Sequence, residues 1–468
     1  MAALSFLDRE RSVAPPGYSR WLVPPAALAI HLAIGQAYAF SVFNLPLSKL
    51  IGGTASAPDD WKLSTIGWIF SIAIVFLGLS AAVWGAWLER VGPRKAMFTS
   101  ACCFGGGFLI GALGVRTHQF WLLILGYGVI GGIGLGLGYI SPVSTLIKWF
   151  PDRPGMATGM AIMGFGGGAM IGSPLAVTLM GRYRGSATHG VAEAFIIMGI
   201  LYFLFMMIGV FLVRVPDASL ADTRATAERP LPHTMEWKSG AGARSNPMIT
   251  TRQVGVNEAW RTKQFWLLWA VLFLNVTAGI GVLGQASAMI QEFFPGRVTA
   301  AAAAGFVGLL SLANMAGRFV WSTTSDKIGR KPTYMIFFAL GALLYFSVPS
   351  AGRLQSVGLF VTLYAVILSM YGGGFATVPA YLRDLFGTVQ VGAIHGRLLT
   401  AWSAAGIAGP ALVNYIREYQ IAHGVAKAAS YNTTMYIMAG LLIVGFICNA
   451  LVRPLRETRA VASTPVAA

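Results

Sequence analysis

Long apolar segments separated by short polar turns dominate the pattern of hydrophobic and polar positions. Twelve of these segments occur, at residues 21–43, 65–87, 96–115, 120–139, 155–180, 194–213, 265–290, 300–323, 333–349, 357–381, 392–413 and 434–452. A run of about 20 apolar residues in a helix crosses the roughly 30 Å hydrocarbon core of a bilayer. The pattern therefore predicts an all-α membrane protein with twelve transmembrane helices.

One long polar stretch, residues 214–263, divides the twelve segments into six and six. It is biased towards Pro, Ser and Ala and has little hydrophobic periodicity, which favours a partly disordered linker with a short surface helix near residues 256–262. The predicted organisation is an N-terminal tail (1–20), a six-helix half (21–213), the linker (214–263), a second six-helix half (264–453) and a C-terminal tail (454–468).

Composition and charge support the membrane interpretation. The 468 residues are 56% hydrophobic and 11% charged, whereas soluble domains contain about 25% charged residues. The net charge of +17 could suit a nucleic-acid partner, but 24 of the 34 Lys and Arg residues fall on the side predicted to hold the N-terminus and nine on the other. By the positive-inside rule both termini are cytoplasmic. We expect a multi-pass protein of the plasma or inner membrane, without a signal peptide or a nucleic-acid partner.

Catalytic and metal-binding patterns are missing from the sequence. The three cysteines lie in apolar segments, no Cys/His spacing suits a metal, and no acidic residue lies within a segment away from its ends. No serine has a neighbouring base that could activate it. The sequence therefore predicts no enzyme, no metal and no cofactor.

Arg318 is the charged residue that this topology leaves deep within an apolar segment; Arg397 lies near the start of its segment and counts with the cytoplasmic side. A charge at such a depth costs about 2.5–3.5 kcal/mol on insertion scales. Helical spacing places it on one stripe with four polar residues: Ser311, Asn314, Ser322 and Ser325. The forked guanidinium fits a carboxylate. The alternative is a bracing role at the cytoplasmic end of the helix.

The two halves repeat a motif. Glu89-Arg90-Val-Gly92 corresponds to Asp326-Lys327-Ile-Gly329 at an offset of 237 residues, and Pro142 corresponds to Pro379 at the same offset. A twofold internal repeat around a linker is typical of secondary transporters, whose substrate site lies near the bilayer midplane between the repeats.

With these motifs the chain resembles the major facilitator superfamily, and within it the oxalate/formate antiporter family, which is related to the monocarboxylate transporters. The residues that carry the resemblance are Gly35 to Phe43, Gly138 to Pro151, Gly159 to Gly166, Asn275 to Gly279 and Leu312 to Asp326. The resemblance implies a monomeric carrier that moves a small organic anion across the lipid bilayer by alternating access. It implies that Arg318 holds the substrate carboxylate and that five aromatic residues line the cavity: Tyr38, Tyr139, Phe165, Tyr371 and Phe375. Packing between helices is the alternative role for each of the five.

Trp402 departs from the family pattern, because it occupies the position of a lysine in the eleventh helix of oxalate carriers. One cation neutralises one carboxylate, and a second carboxylate left unpaired in a closed cavity would cost several kcal/mol. Trp402 offers one N–H donor and an apolar face, so the substitution favours a monocarboxylate such as formate, lactate or pyruvate. The alternative for Trp402 is a packing role.

His31 shares a helix face with Tyr38 and could couple transport to a proton, although a neutral, hydrogen-bonded histidine is the plainer interpretation. Proton symporters of the monocarboxylate type add a lysine in the first helix and an aspartate near the arginine, and neither is present here. The lack of intramembrane carboxylates favours exchange. Proton symport, oxalate/formate antiport, uniport and a non-transporting anion sensor remain open at this point.

The repeated turns resemble the superfamily's cytoplasmic latch, which would hold the outward-open state and release in the inward-open one. The residues are Glu89, Arg90, Arg94, Asp326, Lys327 and Arg330. Positive-inside topology alone would explain the cations, but it explains neither the repeated carboxylate nor the repeated glycine.

Overall fold

A computed structural model of the chain describes residues 2–53, 56–217, 248–250, 252–283 and 285–455. Within these ranges the structure is helical, apart from one isolated β-bridge between Val13 and Val215. Most of the predicted linker and the end of the C-terminal tail, residues 218–247, 251 and 456–468, lie outside the described residues.

The first half contains α1 to α6, and the second half contains α7 to α12. The bounds are α1 Val23–Ile34, α2 Leu63–Val91, α3 Pro93–Arg116, α4 Phe120–Trp149, α5 Pro154–Arg182, α6 Val191–Leu212, α7 Lys263–Leu283, α8 Ala300–Ile328, α9 Arg330–Arg353, α10 Val357–Phe386, α11 Val391–Leu398 with Thr400–Ala422, and α12 Ser430–Leu451. Short helices at Asn44–Leu47, Val256–Ala259 and Ala286–Phe293 lie between them, and α1 continues as a 3-10 helix over Gly35–Phe43.

Ten helices of the described chain are long and apolar enough to cross a membrane. The other two predicted segments form α8, which extends five residues beyond the predicted end to Ile328, and α11, which is interrupted at Leu399. The prediction of an all-helical, multi-pass membrane protein is confirmed. The predicted segment 265–290 is not one helix in the described residues, since α7 ends at Leu283 and a separate short helix covers Ala286–Phe293.

The repeated glycines of the turn motifs have a conformational reason. Gly92 separates α2 from α3 at φ +86°, and Gly329 separates α8 from α9 at φ +91°. Only glycine adopts this left-handed region without strain. The turn therefore lets each helix end and the next begin within one residue, in both halves.

Pairs of helices from opposite halves form the centre of the bundle. The helix α5 packs against α8 and α10, and α2 packs against both parts of α11. Glycines allow close approach inside the C-terminal half, where a Cβ atom on Gly372 of α10 would lie 2.2 Å from the carbonyl oxygen of Asn314 on α8. This packing positions α8 between α5 and α10, with Arg318 at the contact.

The ends of the helices that contact residues 2–22 form one face of the bundle, which we call the N-terminal face. Arg94 donates to the carbonyl oxygens of Phe6 and Arg11 there. The end of α10 lies on the same face, because Arg383 donates to the carbonyl oxygen of Pro151, beside the Asp152 that pairs with Arg20. The segment before α7 joins it there, since the Val254 N–H donates to the carbonyl oxygen of Phe386. The predicted surface helix is present but short, over Val256–Ala259.

Candidate functional site

Arg318 lies in the middle of α8 and is fully buried. Its Nε donates to Oδ1 of Asn314 over 2.8 Å, and its Nη1 donates to the carbonyl oxygen of Ile162 on α5 over 3.4 Å. The predicted polar stripe is thus real along α8, and its Asn314 orients the guanidinium. The contact with Ile162 places the arginine at the junction of the two halves.

Two aromatic rings enclose the guanidinium. Its Cζ lies 5.5 Å from the ring centroid of Phe165 and 5.4 Å from that of Phe375. Cation–π contacts of this kind stabilise a desolvated cation by about 2 kcal/mol. They do not neutralise it, and among the described residues no carboxylate lies within ion-pair distance of Arg318.

One nitrogen of the guanidinium makes no hydrogen bond within the described residues. Nη2 of Arg318 is buried and has no hydrogen-bond partner in the part of the chain that the structure describes. The same holds for the Tyr139 hydroxyl and for Nε1 of Trp402. Three N–H or O–H groups on three helices are therefore available to acceptor oxygens. A buried donor without a partner costs about 1–3 kcal/mol, so this arrangement favours a bound acceptor.

Trp402 is the centre of the aromatic cluster. Its ring lies 4.5 Å from Phe375, 5.3 Å from Tyr139, 5.5 Å from Phe165 and 6.4 Å from Tyr38, measured between ring centroids. All four ring pairs are tilted or T-shaped, which are favoured geometries for aromatic contacts. Trp402 is therefore packed by the other predicted aromatic residues while its N–H remains unused.

Tyr38 and Tyr371 complete the cluster from opposite halves. Their hydroxyls lie 3.4 Å apart and can share a hydrogen bond. Tyr371 also packs at 5.3 Å against Phe375, and Tyr38 packs at 4.9 Å against Phe165. The structure thus brings all seven predicted substrate-binding residues into one cluster: Arg318, Tyr38, Tyr139, Phe165, Tyr371, Phe375 and Trp402.

His31 lies beside this cluster, with its ring 5.4 Å from Tyr139. Its Nδ1 lies 3.2 Å from the carbonyl oxygen of Ala27, one helical turn earlier. Its Nε2 is buried and finds no partner within the described chain. The predicted proton-coupling residue is therefore next to the site, and half of its hydrogen-bonding capacity is unused.

His395 also lies in this site, although it was not predicted from the sequence. It lies in the first part of α11, is 1% exposed, and its ring is 5.9 Å from Tyr139. Neither ring nitrogen has a hydrogen-bond partner among the described residues. A signal was available, because His395 precedes Trp402 by seven residues and so shares its helix face.

The two motif carboxylates reach across the N-terminal face to the opposite halves. Asp326 accepts from the backbone N–H groups of Gly155 and Met156, at 2.9 and 2.8 Å, at the start of α5. Glu89 accepts from the backbone N–H of Gly392, at 3.1 Å, at the start of α11. Helix N-termini attract negative charge, so each carboxylate holds the first turn of a helix in the other half.

The motif cations are placed differently. Arg330 pairs with Asp326 at 2.6 Å and with Asp384 at 3.2 Å, within the second half. Arg94 donates to the backbone carbonyls of Phe6 and Arg11 in the N-terminal tail and to that of Val213 in the first half. Arg90 and Lys327 are exposed and make no side-chain hydrogen bond or ion pair within the described ranges. The cross-half contacts therefore come from the carboxylates, and two of the four cations orient their own half.

Comparison with known proteins agrees with this architecture. The model of the Major Facilitator Superfamily matches residues 20–410 and 301–468. The chain is 25% identical to the oxalate:formate antiporter of Oxalobacter formigenes, over 92% of this chain and 90% of the antiporter. It is 27% identical to apicoplast pyruvate carrier 1 of Toxoplasma gondii, over 73% of this chain and 68% of the carrier.

Among solved structures, the chain superposes on the proton:xylose symporter XylE with a TM-score of 0.64 at 17% identity, covering 93% of this chain and 96% of the symporter. At this identity the likeness concerns the fold alone. The family match, which spans most of the sequence, goes further. This membrane protein is a transporter, not an enzyme, and it belongs to the major facilitator superfamily.

Proposed function

We propose that the protein exchanges small monocarboxylates across the membrane by alternating access, with Arg318 holding the carboxylate. The observation that carries the proposal is the buried Nη2 of Arg318, which has no partner among the described residues while the guanidinium has no acidic neighbour there. A carboxylate oxygen would complete the hydrogen bonding and neutralise the charge. The Tyr139 hydroxyl and Trp402 Nε1 supply two further donors.

The charge balance favours a monocarboxylate. Arg318 is the cation of the aromatic cluster, and Trp402 stands where the resemblance to oxalate carriers expects a lysine. A second carboxylate would lie against aromatic faces without a counter-charge, at a cost of several kcal/mol. The names of two relatives, an oxalate:formate antiporter and a pyruvate carrier, include acids of this size.

Alternating access fits the distribution of contacts between the halves. The Asp326 and Glu89 contacts join the halves on the N-terminal face, which the positive-inside rule assigns to the cytoplasm of the plasma or inner membrane. The Tyr38–Tyr371 contact joins them beside the arginine. Release of the carboxylate contacts would open the site towards the N-terminal face. Release of the tyrosine pair would be required for the site to open towards the opposite face of the bundle.

Exchange is favoured over uniport by the cost of closing around an arginine without an anion. The hydrogen bonds to Asn314 and Ile162 and the two ring contacts reduce that cost. They leave Nη2 unpaired and the charge uncompensated, which in a low-dielectric interior still costs several kcal/mol. A bound carboxylate removes this penalty, so the loaded carrier should cross between states faster.

Proton-coupled symport is the second candidate, and the buried His31 beside Tyr139 is the observation that favours it. The two mechanisms give opposite results in one assay. An exchanger in preloaded proteoliposomes accelerates efflux when external acid is added and does not accumulate acid from a pH gradient alone. A symporter accumulates acid from the gradient and needs no internal counter-substrate.

The test is counterflow in proteoliposomes with formate, pyruvate and oxalate. Arg318→Lys keeps the charge but loses the fork, and the exposed Arg353→Lys is the matched control. We expect Arg318→Lys to lower the uptake of both monocarboxylates and Arg353→Lys to match the wild type. Unchanged exchange by Arg318→Lys would assign Arg318 to a bracing role, and binding without flux would identify an anion sensor.

A further inference from the structure

Three buried polar side chains lie close together beside the aromatic cluster that holds Arg318. The rings of His31 and His395 lie 5.4 and 5.9 Å from the ring of Tyr139, on α1, α11 and α4 respectively. All three residues are at least 99% buried. Nε2 of His31, both ring nitrogens of His395 and the Tyr139 hydroxyl lack partners among the residues described. Together they leave four unsatisfied polar atoms in one small region.

The hydrogen-bonding character of His31 follows from its contact with Ala27. A carbonyl oxygen only accepts, so Nδ1 of His31 must carry the proton that it donates to Ala27. In the neutral ring Nε2 is then an acceptor. Neutral His395 offers one donor and one acceptor, and the Tyr139 hydroxyl offers both. The group as a whole presents donors and acceptors, not donors alone.

The presence of both donors and acceptors beside Tyr139 determines which chemical group of a substrate can satisfy them. A hydroxyl can donate to Nε2 of His31 and accept from Tyr139 or His395, so it satisfies both kinds of atom. An oxo group only accepts and leaves Nε2 of His31 unsatisfied. A second carboxylate only accepts and also brings a charge, while a methyl group satisfies none of them.

The position of Tyr139 connects this region with the carboxylate site. Its ring lies 5.3 Å from that of Trp402, in the cluster around Arg318, and 5.9 Å from that of His395. A ligand whose carboxylate binds Arg318 would therefore extend past Tyr139 towards the two histidines. The residues of the region come from both halves, as expected for a substrate site in an alternating-access carrier.

We propose that His31, Tyr139 and His395 form a second subsite that binds a hydroxyl group of the transported acid, so that the preferred substrates are short hydroxycarboxylates. The inference rests on the proposed function, because the same molecule must place its carboxylate on Arg318. His395 is the specificity-determining residue of this subsite, since it alone has both ring nitrogens available.

The test compares acids of equal length within one variant, so that a folding defect cancels in the ratio. Uptake of 2-hydroxypropionate, 3-hydroxypropionate, 2-oxopropionate and propionate is measured in proteoliposomes for the wild type, His395→Leu and His395→Gln. Leucine removes the donor and the acceptor at similar volume, and glutamine restores both. Size-exclusion profiles in detergent confirm that each variant is folded.

We expect at least one hydroxypropionate to have a KM about tenfold or more below that of propionate in the wild type, since propionate leaves buried polar groups unpaired. His395→Leu should abolish this ratio, and His395→Gln should recover part of it. A wild-type ratio near one, or a ratio that His395→Leu leaves unchanged, overturns the inference alone. Exchange of formate without uptake of any of the four acids also overturns the inference alone. If neither formate nor any of the four acids is exchanged, the proposed function fails and the inference with it.

Discussion

Asp326 provides the sharpest test of how the two halves are held together. Its two carboxylate oxygens accept from the backbone N–H groups of Gly155 and Met156 at the first turn of α5, and its side chain is 13% exposed. Asp326→Asn keeps the shape but leaves one acceptor oxygen and no charge. Arg330 retains its pair with Asp384, so the C-terminal half keeps its own anchor.

The expected magnitude follows from these contacts. A hydrogen bond to a charged group contributes about 1.5–3 kcal/mol, and a carboxylate at a helix N-terminus adds about 0.3–1 kcal/mol. Losing one such hydrogen bond and the charge should therefore destabilise the closed N-terminal face by about 2 kcal/mol. This value is taken near the lower end of the summed range because Asp326 is partly exposed. These contacts exist only while the halves meet on the N-terminal face, so the open population should rise roughly 30-fold.

The assay is a spin-label distance measurement across the N-terminal face. Labels on cysteines at positions 90 and 327, both exposed and one in each half, report the separation once the three native cysteines are replaced by serine. Asp326→Asn should add a population with a longer distance. Asp152→Asn is the matched control, because Asp152 pairs with Arg20 within the first half. An unchanged distance distribution for Asp326→Asn would refute the proposed role of the carboxylate.

Three further predictions concern the site and its supports. Trp402→Lys adds the second cation and should raise oxalate uptake relative to formate about tenfold or more, because an unpaired buried carboxylate costs several kcal/mol; an unchanged ratio in proteoliposomes contradicts the charge argument. Gly279→Ala places a Cβ 2.1 Å from Cδ2 of Tyr371 and should lower the free energy of unfolding by about 1–3 kcal/mol, measured as a lower melting temperature. Gly308→Ala is the control, because its Cβ meets open space and should leave the melting temperature unchanged. Partial burial tends to raise the pKa of Asp60, but three backbone N–H donors in its loop outweigh this and hold the pKa below its usual value. The loop contacts should therefore persist above pH 3.8 and be lost as pH falls through the lowered pKa of Asp60. The loss should be seen as faster amide hydrogen exchange in that loop, and exchange protection that does not change with pH would contradict this prediction.

Much of the bundle and part of the site could be predicted from the sequence for physical reasons. The bilayer core offers no water to hydrogen-bond the backbone, so a long apolar segment satisfies its N–H and C=O groups by forming a helix. The lengths of the apolar segments therefore predict the helices. Arg318 is conspicuous because a charge at that depth is costly. The aromatic residues around it were predicted from the resemblance to the oxalate/formate antiporter family, whose cavity positions they match.

The remaining features depend on how the helices pack in three dimensions. The partners of Glu89 and Asp326 are backbone N–H groups at helix starts, which carry no side-chain signal in the sequence. The seven-residue spacing between His395 and Trp402 indicates a shared helix face, but the relation of His395 to Tyr139 and His31 arises only when three helices pack together. The interruption of α11 at Leu399 also lies in a segment whose apolar pattern is continuous.

The central claim is that Arg318 binds the carboxylate of a transported acid, and ligand-induced stabilisation of the purified protein tests it most directly. A ligand that binds only the folded state at 100 times its Kd adds about 2.7 kcal/mol to stability. We predict that saturating monocarboxylate raises the melting temperature of the wild type and of Arg353→Lys, and that Arg318→Lys requires at least about tenfold more acid for the same rise. Equal stabilisation of Arg318→Lys and the wild type at every concentration would contradict the claim.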